Sequence, residues 1–161
     1  MEQVSVLMVC LGNICRSPTA EGVFRTHCER EGMSDRITVD SAGTAAYHAG
    51  EPPDPRAQAA ARLRGVELSA LRARQVRPDD FAAFDYVLAM DHANLAALRA
   101  ACPPRYRDRV SLFLDFAAHA GTEEVPDPYY GGDSGFETVL DLVDEASAGL
   151  LTAIRARLEA V

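Results

Sequence analysis

The stretch Val4-Ser5-Val6-Leu7-Met8-Val9-Cys10-Leu11-Gly12-Asn13-Ile14-Cys15-Arg16-Ser17-Pro18 decides how the chain is read. Its first part, Val4–Val9, is a short apolar run with β-branched side chains and one serine, the pattern of a strand. Its end carries helix-start signals. Ser17 suits the N-cap, Pro18 the first helical position, and Gly32 the exit, so a helix is expected from about Pro18 to Glu31. Ala20, Val23, Phe24 and Cys28 form its expected apolar face.

Outward from this unit the alternation continues. Strands are expected at Ile37–Asp40, Tyr86–Met90 and Val110–Leu114. Between them fall a helix over Pro55–Arg64 that stops at Gly65, a short one near Pro78–Ala83, and one capped by Asp91 that runs to Ala101. Ser41–Asp54 and Ala117–Asp133 read as loops, and a long amphipathic helix is expected over Ser134–Glu159. With no repeats or linkers, the expectation is one domain over residues 1–161. Its fold class is α/β: a four-stranded parallel sheet with helices on both faces and a phosphate-binding loop after the first strand.

Composition narrows the function classes. The 161 residues are 48% hydrophobic and 25% charged, as in an ordinary globular domain. A net charge of −8 argues against a nucleic-acid partner, which needs an extended basic face. All 16 basic residues are arginine, so a phosphate loop of the lysine-dependent kind is excluded. No apolar run approaches the roughly 18 residues of a membrane span, and the start lacks a signal-peptide pattern. A cytoplasmic protein without membrane insertion is expected, with a monomer as the default. The cysteines Cys10, Cys15, Cys28 and Cys102 show no CxxC pair and no zinc spacing, so free thiols are expected and neither a metal nor another cofactor.

The segment after the first strand holds the chemistry. Ligands of open α/β sheets bind beyond the C-terminal strand ends, where Leu11, Gly12, Asn13, Ile14 and Cys15 lie. Gly12 and Asn13 tolerate the left-handed backbone that curls successive amides around an anion, and the following helix N-terminus adds positive potential. Arg16 supplies a planar fork for two phosphate oxygens. Cys10 at the mouth of this cradle is the expected nucleophile, because a thiol beside a helix N-terminus and an arginine is readily held as thiolate. Ser17 is placed to donate to its sulfur. Cleaving a phosphate ester also requires a proton donor, and Asp127 in Asp127-Pro128-Tyr129-Tyr130-Gly131 is the candidate. A turn aspartate before proline is the plainer reading of that residue. His48 reads as a solvated loop histidine.

These residues resemble the low-molecular-weight protein-tyrosine phosphatases over nearly the whole chain. The likeness is carried by Val9–Ala20, Asp40–Thr44 (DSAGT), Asp54-Pro55-Arg56, Ala73-Arg74-Gln75, Met90-Asp91 and Asp127–Gly131 (DPYYG). The resemblance implies Cys10 as nucleophile, Arg16 as phosphate binder, Asp127 as general acid and then base, a cysteinyl-phosphate intermediate and no metal. It also implies Asn13 and Ser41 as a bonded pair shaping the loop, Tyr47 and Tyr129 as walls of a substrate pocket, and a phosphotyrosine-containing protein as substrate. Cys15 matches a loop cysteine that pairs reversibly with the nucleophile in part of the family, and Tyr129 and Tyr130 match tyrosines that can themselves be phosphorylated. One departure stands out: Leu71 occupies a position where many members carry a histidine, which is expected to leave the Asn13–Ser41 network short of a partner. Two alternatives stay open. One is an arsenate reductase of the same fold, for which only Cys102 follows the third strand; the other is a phosphotyrosine-binding module without turnover.

Overall fold

A computed structural model describes residues 2–129 and 134–160. Its centre is β1 (Val4–Cys10), which pairs in parallel with β2 (Ile37–Gly43) on one side and β3 (Tyr86–Ala89) on the other. β4 (Val110–Leu112) continues the sheet beyond β3, giving the parallel order β2-β1-β3-β4. Side chains of a strand alternate between faces, and both faces of β1 are covered. Val4, Val6, Met8 and Cys10 enter one apolar cluster, and Leu7 and Val9 enter another.

The helices follow from that division. α1 (Arg16–Arg30) presents Ala20, Val23, Phe24 and Cys28 to the first cluster. α5 (Ser134–Glu159) adds Phe136, Val139, Leu140, Val143, Leu150, Leu151 and Ile154 on the same side, and α2 (Pro55–Arg62) adds Ala57, Ala60 and Ala61. Phe81 of α3 (Asp80–Ala83) and Leu95 and Leu98 of α4 (His92–Ala101) cover the opposite face. Fully burying one such side chain contributes roughly 1.5–3 kcal/mol, so the apolar runs are sufficient reason for the layering.

Several boundaries differ from expectation by a residue or two, and three of the differences have a legible reason. β2 runs on through Ser41, Ala42 and Gly43, small residues that read as loop but pair with Met8, Val9 and Cys10. β4 is shorter than Val110–Leu114, because Phe113–Phe116 turns into a 3-10 helix. α1 begins at Arg16, with Cys15 in the N-cap position and no side-chain cap, so Ser17 is inside the helix. Its hydroxyl is engaged elsewhere. Tyr130 and Gly131 of the DPYYG motif lie outside the described residues.

Candidate active site

The site is built where β1 runs out. Between Cys10 and α1 the backbone is strapped from outside: Thr44 N–H donates to the Cys10 carbonyl (2.9 Å), Ala45 N–H to that of Leu11 (3.0 Å), and Asp54 N–H to that of Ile14 (2.8 Å). In a trans peptide the carbonyl and the next N–H point in opposite directions. Tying these carbonyls outward therefore turns the amides of Leu11, Gly12 and Cys15 inward, which makes an anion-binding concavity. Asn13 adopts φ 59°, the left-handed region that the curl requires. Gly43 is obligatory for the strapping, because a Cβ there would lie 2.7 Å from the Leu11 carbonyl oxygen.

Behind the loop runs a buried chain of side-chain bonds. Asn13 Nδ2 donates to Ser17 Oγ (2.8 Å) and to Ser41 Oγ (2.9 Å), and Asn13 Oδ1 accepts from Arg74 N–H (3.0 Å). Ser17 Oγ lies 3.0 Å from Cys10 Sγ. Ser17 accepts from Asn13, and its own proton can go to the sulfur or to the Ala42 carbonyl (3.4 Å). Ser41 Oγ donates in turn to Glu21 Oε1 (2.7 Å), whose other oxygen accepts from Arg25 Nη2 (2.6 Å). Burial pushes the Glu21 carboxyl above its usual range, against the pull of Ser41 and Arg25. The network is not left short by Leu71, which is half-buried against the core. It closes on Glu21 and on the Arg74 amide instead.

Arg16 is buried beside the loop. It donates from Nη1 to Asp91 Oδ2 (2.6 Å) and to the Val125 carbonyl (3.1 Å), with Nη2 3.6 Å from Asp127 Oδ2. Burial opposes its charge, but the negative groups at Cys10, Asp91 and Asp127 outweigh that and push its pKa up. Asp91 does two jobs, since its Oδ1 also caps α4 through Asn94 N–H (2.7 Å). Val125 N–H donates to the Met90 carbonyl (2.8 Å), which docks the segment carrying Asp127 onto the end of β3. Tyr129 N–H donates to Asp127 Oδ1 (3.0 Å).

Cys10, Arg16 and Asp127 thus line a single cleft, together with Leu11, Gly12, Ile14 and Cys15. Cys10 is only 3% exposed. Tyr47, His48 and Tyr129 form the mouth, and Tyr47, Tyr129 and Leu11 are exposed large apolar side chains. Asn13, Ser17 and Ser41 stand behind the cleft wall. The Cys15 thiol is pushed up to about 12, chiefly by burial and then by Asp54, so it is neutral at physiological pH. Among the described residues no group of three His, Cys, Asp or Glu side chains is placed to hold a metal ion.

The model of the family described as low molecular weight phosphotyrosine protein phosphatase matches residues 5–160. The chain belongs to this family. It is 45% identical over 158 residues to the low molecular weight protein-tyrosine-phosphatase of Streptomyces coelicolor, covering 96% of this chain and 95% of that one. To the human low molecular weight phosphotyrosine protein phosphatase it is 44% identical over 141 residues, covering 84% and 85%. Among solved structures, the protein tyrosine phosphatase of Entamoeba histolytica with Hepes in the active site matches at a TM-score of 0.93. That match has 38% identity and covers 96% of this chain and 98% of the other.

For this phosphatase-family chain, the structure brings Cys10, Leu11, Gly12, Ile14, Cys15, Arg16, Tyr47, Asp127 and Tyr129 to one cleft, places Asn13 and Ser17 behind its wall rather than in it, and adds several residues that were missed. Glu21 and Arg74 complete the network behind the loop, and Asp91 anchors Arg16. His48 lies in the loop at the mouth, partly exposed, with Nδ1 2.7 Å from Glu51 Oε2. Asp91 carried a legible signal as a helix cap; nothing local marked Glu21 or His48. The four cysteines are free, and Cys102 packs in the cluster across the sheet from Cys10 and Cys15, which gives a thiol relay no support. Among the described residues no helix is long and apolar enough to cross a membrane.

Proposed function

We propose that the chain hydrolyses phosphotyrosine in proteins through a cysteinyl-phosphate intermediate, acting in the cytoplasm as a monomer and without metal. The observation that carries the reading is the convergence of Cys10, Arg16 and Asp127 on one cleft floored by inward-facing amides. The Cys10 sulfur attacks phosphorus and the bond to the tyrosyl oxygen breaks, while Asp127 delivers a proton to that oxygen. The Arg16 fork and the loop amides hold the non-bridging oxygens as their charge develops. In the second step Asp127 takes a proton from water, the water oxygen attacks phosphorus, and sulfur departs as a thiolate stabilised by the Ser17 hydroxyl.

Depth favours the substrate class. Cys10 lies at the bottom of a cleft walled by Tyr47 and Tyr129, so an aryl phosphate reaches it more readily than the shorter phosphoserine. Cys15, in the same loop, is proposed as the thiol that pairs with Cys10 when peroxide oxidises it to the sulfenic acid, water being the leaving group. A dithiol then restores both thiols.

The test is hydrolysis of para-nitrophenyl phosphate and a phosphotyrosine peptide without added metal. Wild type is expected to turn over, Cys10→Ser to be inactive, and brief acid quench of wild type to trap phosphate on Cys10. Absence of wild-type turnover under reducing conditions would sink the reading.

A further inference from the structure

Arg56 ties the two halves of the cleft together. Its Nε donates to Asp54 Oδ1 (3.1 Å) and its Nη2 to Asp54 Oδ2 (3.0 Å). The same Nη2 donates to the Tyr129 carbonyl (2.9 Å). Both ends of this bridge lead into the reaction site. Asp54 N–H holds the Ile14 carbonyl of the anion loop, and Tyr129 N–H holds Asp127 Oδ1. The guanidinium also stands over two rings, 5.6 Å from the centroid of Tyr129 and 5.0 Å from that of Phe136 in α5.

Asp127 needs such support. It sits between Pro126 and Pro128 outside any helix or strand, with its side chain 40% exposed. The direction of its carboxyl therefore depends on what holds the two ends of its segment. At the near end Val125 is bound through its N–H to Met90 and through its carbonyl to Arg16. At the far end Arg56 takes the Tyr129 carbonyl.

We propose that Arg56 is the positioning residue for the proton donor: by clamping Tyr129 to the Asp54–Ile14 edge of the anion loop, it aims the Asp127 carboxyl at the departing oxygen. The inference rests on the reading of Asp127 as general acid. It uses the property that separates arginine from lysine, a rigid fork that serves two acceptors at once. The site needs that fork, since Asp54 and Tyr129 are served from one guanidinium.

The experiment measures kcat/KM across aryl phosphates whose phenols range from good to poor leaving groups, for wild type, Arg56→Met, Arg56→Lys and Asp127→Ala. Thermal melts accompany each variant. Arg56→Met keeps an apolar stem and the backbone N–H that Asp54 Oδ1 accepts at 2.8 Å, so the start of α2 survives. Proton donation matters most when the phenol leaves poorly, and misplacing a catalytic group by about 1 Å can cost up to about a hundredfold. Arg56→Met is therefore expected to lose roughly tenfold with phenyl phosphate but less than about twofold with dinitrophenyl phosphate. Arg56→Lys, which can reach one acceptor, should show the same selectivity with a smaller loss.

A uniform loss across the series in both variants, or no loss in folded protein, overturns the positioning role. Asp127→Ala separates the two claims. If it is selective against poor leaving groups while the Arg56 variants are not, the positioning role alone falls; if it is not selective either, the acid role falls with it.

Discussion

The loop Leu11–Cys15 and the segment Val125–Tyr129 face each other across the cleft, yet they are held in different ways. The loop is buried behind, strapped by three outside amides, and backed by a chain of polar side chains that runs from Cys10 through Ser17, Asn13 and Ser41 to Glu21. Buried polar groups of this kind are costly to leave unpaired, so the loop's shape and the protein's stability are one matter. The Asp127 segment is docked at its two ends, with Pro126 and Asp127 exposed between them and Pro128 buried. On the proposed reading its shape serves the proton transfer, and the Asp127 side chain itself packs against little of the core. An anion cradle works by rigidity, whereas a proton donor has to meet solvent and water in the second step.

That contrast is broken or sharpened by four substitutions, each expected to separate activity from stability in its own way. Asp127→Asn should lower kcat/KM on a phosphotyrosine peptide by roughly 10²–10⁴-fold, while the urea-unfolding free energy stays within about 0.5 kcal/mol of wild type. A large stability loss would mean that the segment is structural after all. Asn13→Ala should do both kinds of damage. It removes a buried side chain with three partners from a left-handed position, so a loss of about 2–3 kcal/mol is expected together with weakened turnover. Unchanged stability would end the idea that loop shape and fold are coupled.

Glu21→Gln acts at the far end of the same chain and reads out in pH. Burial raises the Glu21 carboxyl above its ordinary 4.5, so the folded protein holds that proton more tightly than the unfolded chain does. Its contribution is therefore fully present at low pH and is lost as pH rises from the unfolded value through the folded one. Wild-type stability, measured against the glutamine variant by denaturant unfolding, should decline over that window; a relative gain instead would show a carboxylate dominated by Arg25. Leu71→His is the mildest. Asn13 and Ser41 already have partners, so the pH–rate profile should stay in place while the half-buried leucine costs about 1 kcal/mol. A displaced profile would show that an imidazole there still reaches the network.

The two regions also differ in how legibly they are written. Cys10, Gly12, Asn13, Arg16 and Ser17 act on one another within a single turn of chain, so their spacing already states the chemistry. Ser17 shows the limit of that reasoning: it has the right type and place for an N-cap, but tertiary packing sets its hydroxyl against the sulfur and leaves the helix to start at Arg16. Ser41-Ala42-Gly43 reads as loop on composition, yet it pairs with β1 as strand, and at its end only a glycine at 43 lets the Leu11 carbonyl approach so closely. Glu21 carries no local mark of function, and the Asp54-Pro55-Arg56 motif does not reveal the second acceptor of Arg56, the Tyr129 carbonyl far along the chain.

By itself the sequence determined the alternation of strands and helices, the parallel sheet, and the anion loop with its thiol and arginine, because hydrophobic periodicity and local backbone preference act over a few residues. Only the tertiary structure decided what stands opposite that loop. The meeting of Arg16 with Asp91 and Asp127, the closure of the Asn13 network on Glu21, and the Arg56 bridge to Tyr129 all join segments tens of residues apart. Such contacts are set by the register of the strands and the docking of the helices, and no short stretch of chain contains that information.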